Sequence, residues 1–364
     1  NKIALFLPSL RGGGAERVMV NLAFGLIKRG IEVDIVLAKA EGAYLREIPK
    51  EAQLIDLNAP RVISSLPALV KYLRHRRPAA MLSAMNHANI VAIWAKQLVS
   101  FPIHLAVSEH NTLSISNNNS RNIRSKLIPF LMKVFYPKAD TVVAVSTGVK
   151  EDLIQRTSID SKKVFVIYNP VVTPDLFSKA AEPLDDSWFA PSSPPVIIGI
   201  GRLTAQKNFT SLIRAFAAVR KNRPARLMIL GDGEEKSKLE ALALELGLQN
   251  DVALPGFINN PYKFLKRSAL FVLSSKWEGL PTVLIEALAL GTPVVSTDCP
   301  SGPAEILENG LWGHLVPVED IDSLANAMLK SLDEPTATDT AKRADNFGMD
   351  QAIDGYLSAL GLHR

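Results

Sequence analysis

Short apolar runs alternate with segments of helical periodicity along most of the chain. Lys2–Leu7 and Glu32–Leu37 have the composition of buried strands, and apolar residues three and four apart over Ala15–Lys28 indicate a helix between them. The alternation stops at a proline-rich segment, residues 169–195, and begins again at Val196–Ile200. Parallel strands need a crossover between them, usually a helix, so this pattern predicts βαβ units and parallel sheets. We therefore expect an α/β protein with two doubly wound, Rossmann-like domains.

The proline-rich segment sets the predicted domain boundaries. A chain of 364 residues is longer than one hydrophobic core usually supports. We predict a first domain over residues 1–168, a linker over 169–195 and a second domain over 196–345, with residues 346–364 ending the chain in a helix. The cleft between two such domains is the expected site.

Charge is distributed unevenly between the two halves. Residues 1–168 contain 23 Lys and Arg against 12 Asp and Glu, whereas the remainder contains 18 against 24. A basic half suggests an anionic partner such as a membrane surface or an acidic acceptor, with a solvated basic face as the alternative. Aromatic residues do not interleave with the basic ones as in nucleic-acid motifs, so no nucleic acid is expected. The single cysteine, Cys299, excludes an intrachain disulfide and favours the cytoplasm.

The most informative local segment runs from Glu278 to Glu286 and follows the apolar run Ala269–Leu273. The carboxyl end of a strand followed by a helix start is where open α/β sheets bind ligands. Unpaired backbone N–H groups and the helix dipole favour an anion such as a diphosphate at this turn. The two carboxylates lie either on one helix face or on loop and helix. In both cases they suit a ligand that carries phosphate and hydroxyl groups.

Three other loops of the second half also follow predicted strands. The segment 201–207 contains Arg202 and Lys207, whose charges suit phosphate oxygens, although such residues are often simply solvated. Gly231 begins a turn that either caps the next helix or approaches a ligand closely. Phe257 would either lie flat near a base or pack in the core.

The first half contains a glycine-rich loop and a histidine, each after a predicted strand. Gly12–Gly14 would let the backbone approach a ligand closely, with an ordinary tight turn as the alternative. No third spaced glycine completes a dinucleotide fingerprint, which disfavours a dehydrogenase. His110 has the side chain best suited to exchange protons or donate a hydrogen bond near neutral pH, although a structural role is the more common one.

A basic amphipathic segment covers residues 121–136. Its charged residues, Arg121, Arg124, Lys126 and Lys133, alternate with large apolar residues. Such a segment predicts contact with an anionic membrane surface, and a core-packed helix with a solvated basic edge is the alternative.

Taken together, these motifs resemble the retaining glycosyltransferases of the GT-B fold, in particular family 4. The resemblance covers almost the whole chain. It rests on the order and spacing of GGGAER at 12–17, SEHN at 108–111, GRLTAQKN at 201–208, GDGE at 231–234, EGLPTVLIE at 278–286 and GTPVVST at 291–297. It implies two Rossmann-like domains facing each other across a cleft, with the C-terminal helix packing back on the first domain.

The resemblance also implies roles for individual residues. The second domain would bind the sugar nucleotide, with Arg202 and Lys207 on the diphosphate and Glu278 accepting from hydroxyls of the donor sugar. His110 would contact that sugar near the reacting carbon. The other donor-binding residues would be Gly13, Gly14, Gly231, Phe257, Leu280, Thr282, Val283, Leu284 and, on the ribose, Glu286. Glu16 and Glu109 are assigned to the acceptor side, and no metal or cofactor is expected.

The expected reaction moves a hexose or N-acetylhexosamine from a UDP-sugar to a lipid-linked or oligosaccharide acceptor in bacterial glycan biosynthesis. The expected location is cytoplasmic or peripheral on the inner face of the cytoplasmic membrane. A GT-B sugar-nucleotide epimerase is one alternative, and it would turn over a UDP-sugar with no acceptor added. A non-catalytic sugar-nucleotide or membrane-surface binding protein is the other. Arg202, Lys207, Glu278 and Glu286 are all present, which disfavours this second alternative.

Overall fold

The fold is described from a computed structural model that covers residues 2–110, 123–334 and 340–362. Internal contacts divide the chain into two units. Unit 1 consists of residues 1–171 with 347–364, and unit 2 of residues 172–346.

The described part of unit 1 contains a seven-stranded sheet whose neighbouring strands are all parallel. The strand order is β3-β2-β1-β4-β5-β6-β7, so the strand numbers fall as far as β1 and rise again from β4. Helices on both faces explain why central strands such as β4 are buried along their whole length. The strands are β1 Lys2–Leu7, β2 Glu32–Leu37, β3 Gln53–Asp56, β4 Ala80–Ala84, β5 His104–Glu109, β6 Thr141–Ala144 and β7 Val164–Val166.

The helices of unit 1 include one from the end of the chain. Gly25 lies so close to Ile353 that a Cβ on the glycine would be 2.5 Å from the isoleucine Cδ1. Arg29 donates to Asp350 and Asp354, both at 3.0 Å. These contacts confirm the expected return of the C-terminal helix to the first half. The described helices are α1 Gly14–Lys28, α2 Leu66–Arg76, α3 Asn86–Gln97, α4 Ile123–Phe135 and α5 Thr147–Thr157, with the C-terminal α14 Met349–Ala359.

The described part of unit 2 contains a six-stranded parallel sheet of order β10-β9-β8-β11-β12-β13. Its order reverses between β8 and β11. The strands are β8 Val196–Ile200, β9 Arg226–Leu230, β10 Val252–Gly256, β11 Leu270–Leu273, β12 Val294–Thr297 and β13 His314–Val316. The helices are α6 Pro174–Ala181, α7 Phe209–Asn222, α8 Lys236–Glu245, α9 Tyr262–Arg267, α10 Thr282–Ala289, α11 Pro303–Ile306, α12 Ile321–Asp333 and α13 Thr340–Ala344.

The predicted linker, residues 169–195, contains a packed helix. Helix α6 begins with a proline after Thr173, whose hydroxyl accepts from the backbone N–H of Leu176 at 3.3 Å. Proline is favourable at the first helical position, because its missing N–H has no partner there. Leu176 is buried, α6 packs on α9, and Arg267 of α9 donates to the carbonyl of Ala180 at 3.2 Å. Much of this segment is therefore a part of unit 2 rather than a free connection.

Within residues 2–110, 123–334 and 340–362, no helix combines the length and the apolar character needed to cross a membrane.

Candidate active site

The reversal of strand order in unit 2 brings two loops together. Strands β8 and β11 are adjacent and parallel, so their carboxyl ends lie at the same edge of the sheet. The first loop, residues 201–208, follows β8, and the second, residues 274–281, follows β11. A parallel sheet leaves a crevice outside the strand ends at such a reversal, which is where ligands bind in open α/β sheets.

Lys207 and Glu278 meet in this crevice. The lysine Nζ lies 2.5 Å from the glutamate Oε1, although 71 residues separate the two in sequence. Their side chains are 17% and 9% exposed, so the pair is largely shielded from water. The hydroxyl of Ser275 donates to the same Oε1 at 2.6 Å. A shielded cation and carboxylate held side by side can serve a ligand that presents both a phosphate and a hydroxyl.

Hydrogen bonds fix the two loops to each other and to the rest of unit 2. Gln206 Nε2 donates to the carbonyl of Trp277 at 2.9 Å, and Ser274 Oγ donates to the carbonyl of Lys207 at 2.8 Å. The N–H of Glu278 donates to the carbonyl of Pro300 at 2.8 Å. The positions of the lysine and the glutamate are therefore set by the backbone around them.

Close backbone contact explains the glycine at position 231, beside this crevice. Gly231 has a φ of +142°, and a Cβ there would lie 1.9 Å from the carbonyl oxygen of Gly201. The N–H of Gly231 donates to the carbonyl of Gly256 at 2.9 Å, which fixes the start of the following loop. The next residue, Phe257, is 59% exposed, so its ring is available to lie against a flat ligand rather than in the core.

Glu278 lies in the loop, and Glu286 lies in helix α10. The sequence left open whether these two carboxylates share one helix face or lie on a loop and a helix, and the structure shows the second arrangement. Pro281 precedes α10 and gives it no side-chain cap, and Thr282 is its first residue. Uncapped first-turn N–H groups and the helix dipole favour an anion at this end. Among the remaining predicted donor residues, Leu280, Val283 and Leu284 are buried and Arg202 is exposed.

Cys299 lies close to the same crevice but is unsuited to act as a nucleophile. Its thiol is buried, and burial, assisted by the charge of Glu278, raises the pKa of Cys299 to about 12.

In unit 1 the glycine-rich loop is held by Glu16. The carboxylate accepts from the N–H groups of Gly12 and Gly13 at 2.6 and 2.7 Å, and the side chain is buried. The sequence assigned Glu16 to the acceptor side and did not predict that its carboxylate would bind the backbone of its own loop. The side chain fixes the loop, while Gly14 begins α1 with nothing within 4 Å of the position that a Cβ would take.

Sequence reasoning missed three side chains beside this loop. Tyr44 donates to the carbonyl of Gly12 at 3.4 Å, and the guanidinium of Arg17 stacks on the tyrosine ring at 4.0 Å. Arg17 also donates through two nitrogens to the carboxylate of Glu47. Arg17 belongs to the GGGAER motif, but nothing in the local sequence linked it to Tyr44 and Glu47, about 30 positions away.

His110 follows the last residue of β5. Its Nε2 lies 3.1 Å from the hydroxyl of Ser108. Burial lowers the pKa of His110 to about 4, so the imidazole is neutral at pH 7. A neutral imidazole has one donor and one acceptor nitrogen, and it can donate a hydrogen bond without adding a positive charge.

Glu109 lies on the other side of β5 and is only 3% exposed. Tyr136 donates its hydroxyl hydrogen to Glu109 Oε1, and Asn89 Nδ2 donates to the same oxygen at 2.9 Å. This burial corrects the expectation that Glu109 faces an acceptor, because its carboxylate points into the protein. Burial also raises the pKa of Glu109 to about 7, against the opposing effect of the two hydrogen bonds.

The raised pKa of Glu109 predicts a pH-dependent stability difference. The folded chain binds this proton more tightly than the unfolded chain, so its stabilising contribution is complete below the unfolded pKa of 4.5 and is lost as pH rises through about 7. Glu109→Gln does not titrate. Its free energy of unfolding relative to wild type should therefore increase between pH 5 and pH 8, by up to about 3 kcal/mol. Urea unfolding of both proteins at the two pH values measures the change, and an equal difference at both would contradict it.

Comparison with known proteins assigns the chain to a family. A family model described as Glycosyltransferase Family 4 matches residues 12–174, and one described as Glycosyl transferases group 1 matches residues 181–349. The N-acetylgalactosamine-N,N'-diacetylbacillosaminyl-diphospho-undecaprenol 4-alpha-N-acetylgalactosaminyltransferase of Campylobacter jejuni is 32% identical over 345 residues, or 92% of this chain and 90% of the relative. The chain belongs to glycosyltransferase family 4. This family 4 glycosyltransferase is also 28% identical to the lipopolysaccharide core biosynthesis glycosyltransferase LpsE of Rhizobium meliloti, over 96% of both chains.

A solved structure supports the fold of the family 4 glycosyltransferase. The crystal structure of Anabaena HepE in complex with UDP-glucose superposes with a TM-score of 0.78 at 21% identity and covers 99% of both chains. The expected α/β fold of GT-B type, with two parallel sheets and flanking helices, is thereby confirmed. The family 4 glycosyltransferase thus carries its shielded Lys207–Glu278 pair at the strand ends of a known fold.

Proposed function

We propose that this glycosyltransferase moves a hexose or N-acetylhexosamine from a UDP-sugar to a lipid-linked or oligosaccharide acceptor, with retention of configuration and without a metal ion. The observation that carries the proposal is the shielded pair of Lys207 and Glu278 at the reversal of strand order in unit 2. The donor class is supported by the HepE complex, which contains UDP-glucose. The acceptor class is supported by the Campylobacter relative, whose name specifies a diphospho-undecaprenol acceptor.

In the proposed reaction the bond between the sugar C1 and the β-phosphate oxygen breaks. The acceptor oxygen forms the new bond to C1 on the same face, and its proton passes to the leaving phosphate, so the products are the glycoside and UDP. Negative charge grows on the diphosphate as the bond breaks. Lys207 and Arg202 are assigned to neutralise it, an electrostatic effect that is usually the largest contribution in such sites.

The other assignments are those that the resemblance to family 4 implies for each side chain. Glu278 would accept from hydroxyls of the donor sugar, with Ser275 holding its Oε1 in place. The first turn of α10, including Thr282, would bind phosphate, and Glu286 would accept from the ribose. Phe257 would lie against the base, and Gly13 and Gly14 would pass close to the donor. Neutral His110 would donate a hydrogen bond to the donor sugar without opposing positive charge at C1.

A donor panel tests the proposal directly. UDP-glucose, UDP-galactose, UDP-N-acetylglucosamine, UDP-N-acetylgalactosamine and, as a nucleotide control, GDP-mannose are each incubated with the protein, alone and with an undecaprenyl-diphosphate-linked oligosaccharide. Mass spectrometry reads released nucleotide and extended acceptor, and NMR of the product reads the anomeric configuration. We expect acceptor-dependent UDP release, an α-linked product and unchanged rates in EDTA. A sugar-nucleotide epimer formed without acceptor would support the epimerase instead, and no turnover of any donor would support a binding protein.

We also propose that α4 lies on an anionic membrane surface, where a lipid-linked acceptor resides on the inner face of the cytoplasmic membrane. Phe130 and Val134, one turn apart on α4, are 61% and 41% exposed, and Lys133 beside them is exposed as well. An exposed aromatic group with an adjacent cation suits the boundary between head groups and acyl chains. Of the other predicted membrane residues, Arg121 and the side chains of Arg124 and Lys126 lie outside the described residues.

Flotation with phosphatidylglycerol vesicles tests the membrane contact. We expect binding at low salt that weakens as salt screens the surface charge. Phe130→Ser should weaken it by about tenfold or more, since a buried phenylalanine side chain contributes about 1.5–3 kcal/mol. Phe177→Ser is the matched control, because Phe177 of α6 is 47% exposed in unit 2. Absence of wild-type binding at low salt, or equal loss in both variants, would refute the contact.

A further inference from the structure

Three buried polar side chains from three different elements meet behind the end of β5. Asn89 is in the first turn of α3, Glu109 is the last residue of β5, and Tyr136 begins the short 3-10 helix after α4. They are 0%, 3% and 0% exposed. Asn89 Nδ2 lies within hydrogen-bond distance of both partners, at 2.9 Å from Glu109 Oε1 and 3.0 Å from the Tyr136 hydroxyl, and Tyr136 donates to Glu109. We call these three residues the β5 cluster.

The β5 cluster holds the backbone as well as the side chains. Asn89 Nδ2 is 3.0 Å from the carbonyl oxygen of Ser108, and the carbonyl of Glu109 accepts from the N–H of Val145 at 3.3 Å. The last two peptide groups of β5 are therefore bonded on the side of α3 and on the side of β6. The chain leaves the strand immediately afterwards at His110, so no flexible segment separates the cluster from the histidine.

The cluster and the imidazole lie on opposite sides of the strand. Successive side chains of a β-strand point to opposite faces, which places Ser108 away from Glu109. The contact between Ser108 Oγ and His110 Nε2, at 3.1 Å, shows that the imidazole lies on the serine side. The β5 cluster consequently acts on His110 through the backbone, and it does not reach whatever His110 contacts.

We propose that Asn89, Glu109 and Tyr136 are positioning residues that hold the end of β5, and with it His110, in the geometry needed for glycosyl transfer. This inference rests on the proposed function, in which His110 contacts the donor sugar near the reacting carbon. The hydrogen bonds that Glu109 Oε1 accepts within this buried cluster resist displacement, because breaking one takes a partner from a buried polar group that water cannot reach to replace it. Rates are sensitive to such displacement, since a misplacement of about 1 Å can cost about 100-fold.

A double-mutant cycle between Tyr136→Phe and His110→Ala separates positioning from a purely structural role. The readout is UDP release from the UDP-sugar with the fastest turnover in the donor panel. Tyr136→Phe alone should lower kcat about tenfold and leave KM for the donor within about twofold, because the donor still binds to unit 2. In the His110→Ala background the same substitution should change kcat by less than about twofold, since no imidazole remains to be positioned.

Three further variants separate loss of positioning from a general loss of stability. Tyr72 also donates its hydroxyl to a buried carboxylate of unit 1, Asp34, at 2.8 Å, but on α2 and β2. Tyr72→Phe should therefore lower stability and leave kcat within about twofold. Glu109→Gln keeps an accepting oxygen for Tyr136 and Asn89 and should retain most of the activity, whereas Glu109→Leu should lose about as much as Tyr136→Phe.

Each outcome of the cycle counts for or against the proposal. Non-additive losses in the cycle, together with active Glu109→Gln, would support it. Equal proportional losses in both backgrounds, or wild-type kcat in Tyr136→Phe, would overturn the positioning role and leave the proposed function intact. Wild-type turnover in His110→Ala would overturn the positioning role and also the assignment of His110 in the proposed function.

Discussion

Lys207→Ala is expected to lower kcat/KM for glycosyl transfer by about 10³-fold, near the upper end of the loss seen when one preorganised donor is removed from a developing negative charge. The reason is that the side chain of Lys207 is only 17% exposed, so little water can replace its ammonium group at the leaving diphosphate. Glu278→Ala should cause a comparable loss, because it removes the acceptor for the hydroxyls of the donor sugar. Steady-state UDP release with the best donor of the panel measures both effects.

Breaking a shielded ion pair also lowers stability, so the loss of activity must be separated from unfolding. The carboxylate of Glu278 has two partners described above, the ammonium group of Lys207 and the hydroxyl of Ser275. Lys207→Ala alone removes the first of them and leaves the charged carboxylate in a poorly hydrated place. The double variant Lys207→Met with Glu278→Gln removes both charges and should regain much of the melting temperature while staying inactive.

Lys276→Ala is the matched control for charge. This lysine lies in the loop that contains Glu278, but its ammonium group pairs with Glu319, whose side chain is 60% exposed. We expect its kcat/KM to stay within about threefold of wild type, as for other exposed ion pairs that contribute little. Wild-type turnover in Lys207→Ala, or equal losses in Lys207→Ala and Lys276→Ala, would refute the assigned site.

Gly231→Ala is expected to destabilise unit 2 by about 4 kcal/mol or to prevent its folding. The added methyl group would lie 1.9 Å from the carbonyl oxygen of Gly201, and the backbone φ of +142° is one that residues with a Cβ rarely adopt. Steric overlap and backbone strain each cost about 1–3 kcal/mol. The backbone of Gly201 cannot move away without a cost in free energy, because its N–H donates to the carbonyl of Leu230 in β9. Urea or thermal unfolding, followed by circular dichroism, measures the change.

Gly247→Ala isolates the backbone part of this cost. Gly247 is also in unit 2 and has a φ of +71°, but nothing lies within 4 Å of the position that its Cβ would take. We expect a loss of about 1 kcal/mol, the usual cost of a left-handed conformation for a residue with a side chain. Similar losses in the two alanine variants would show that the contact with Gly201 is not what requires a glycine at position 231.

Much of the fold could be predicted because its strands are buried on both faces. Continuous apolar runs such as Val196–Ile200 signal central parallel strands without any tertiary information. Edge strand β3, Gln53–Asp56, was missed because three of its four residues are exposed and it shows no apolar run. Helix α6 was missed because the prolines around it indicated a linker, although a proline at the first helical position favours a helix.

Within the candidate site, the sequence identified which residue types follow the strands but not which way each side chain points. Glu16 and Glu109 are polar residues beside ligand-type motifs, and both were assigned to the acceptor. In the structure Glu16 caps N–H groups of its own loop, and Glu109 is covered by α3 and by the segment after α4. Adjacent strand residues point to opposite faces, and which of them is covered depends on elements distant in sequence.

The sequence by itself determined the α/β class, the loops at the strand ends and the charged residues within them, because apolar periodicity and turn residues are local properties. Only the tertiary structure decided that Lys207 and Glu278 meet, since β8 and β11 become neighbours through the order of strands in the sheet. That order is fixed by how the crossover helices pack on the two faces, which no local stretch of residues specifies. The same packing buries Glu109 behind β5 and leaves His110 on the opposite side.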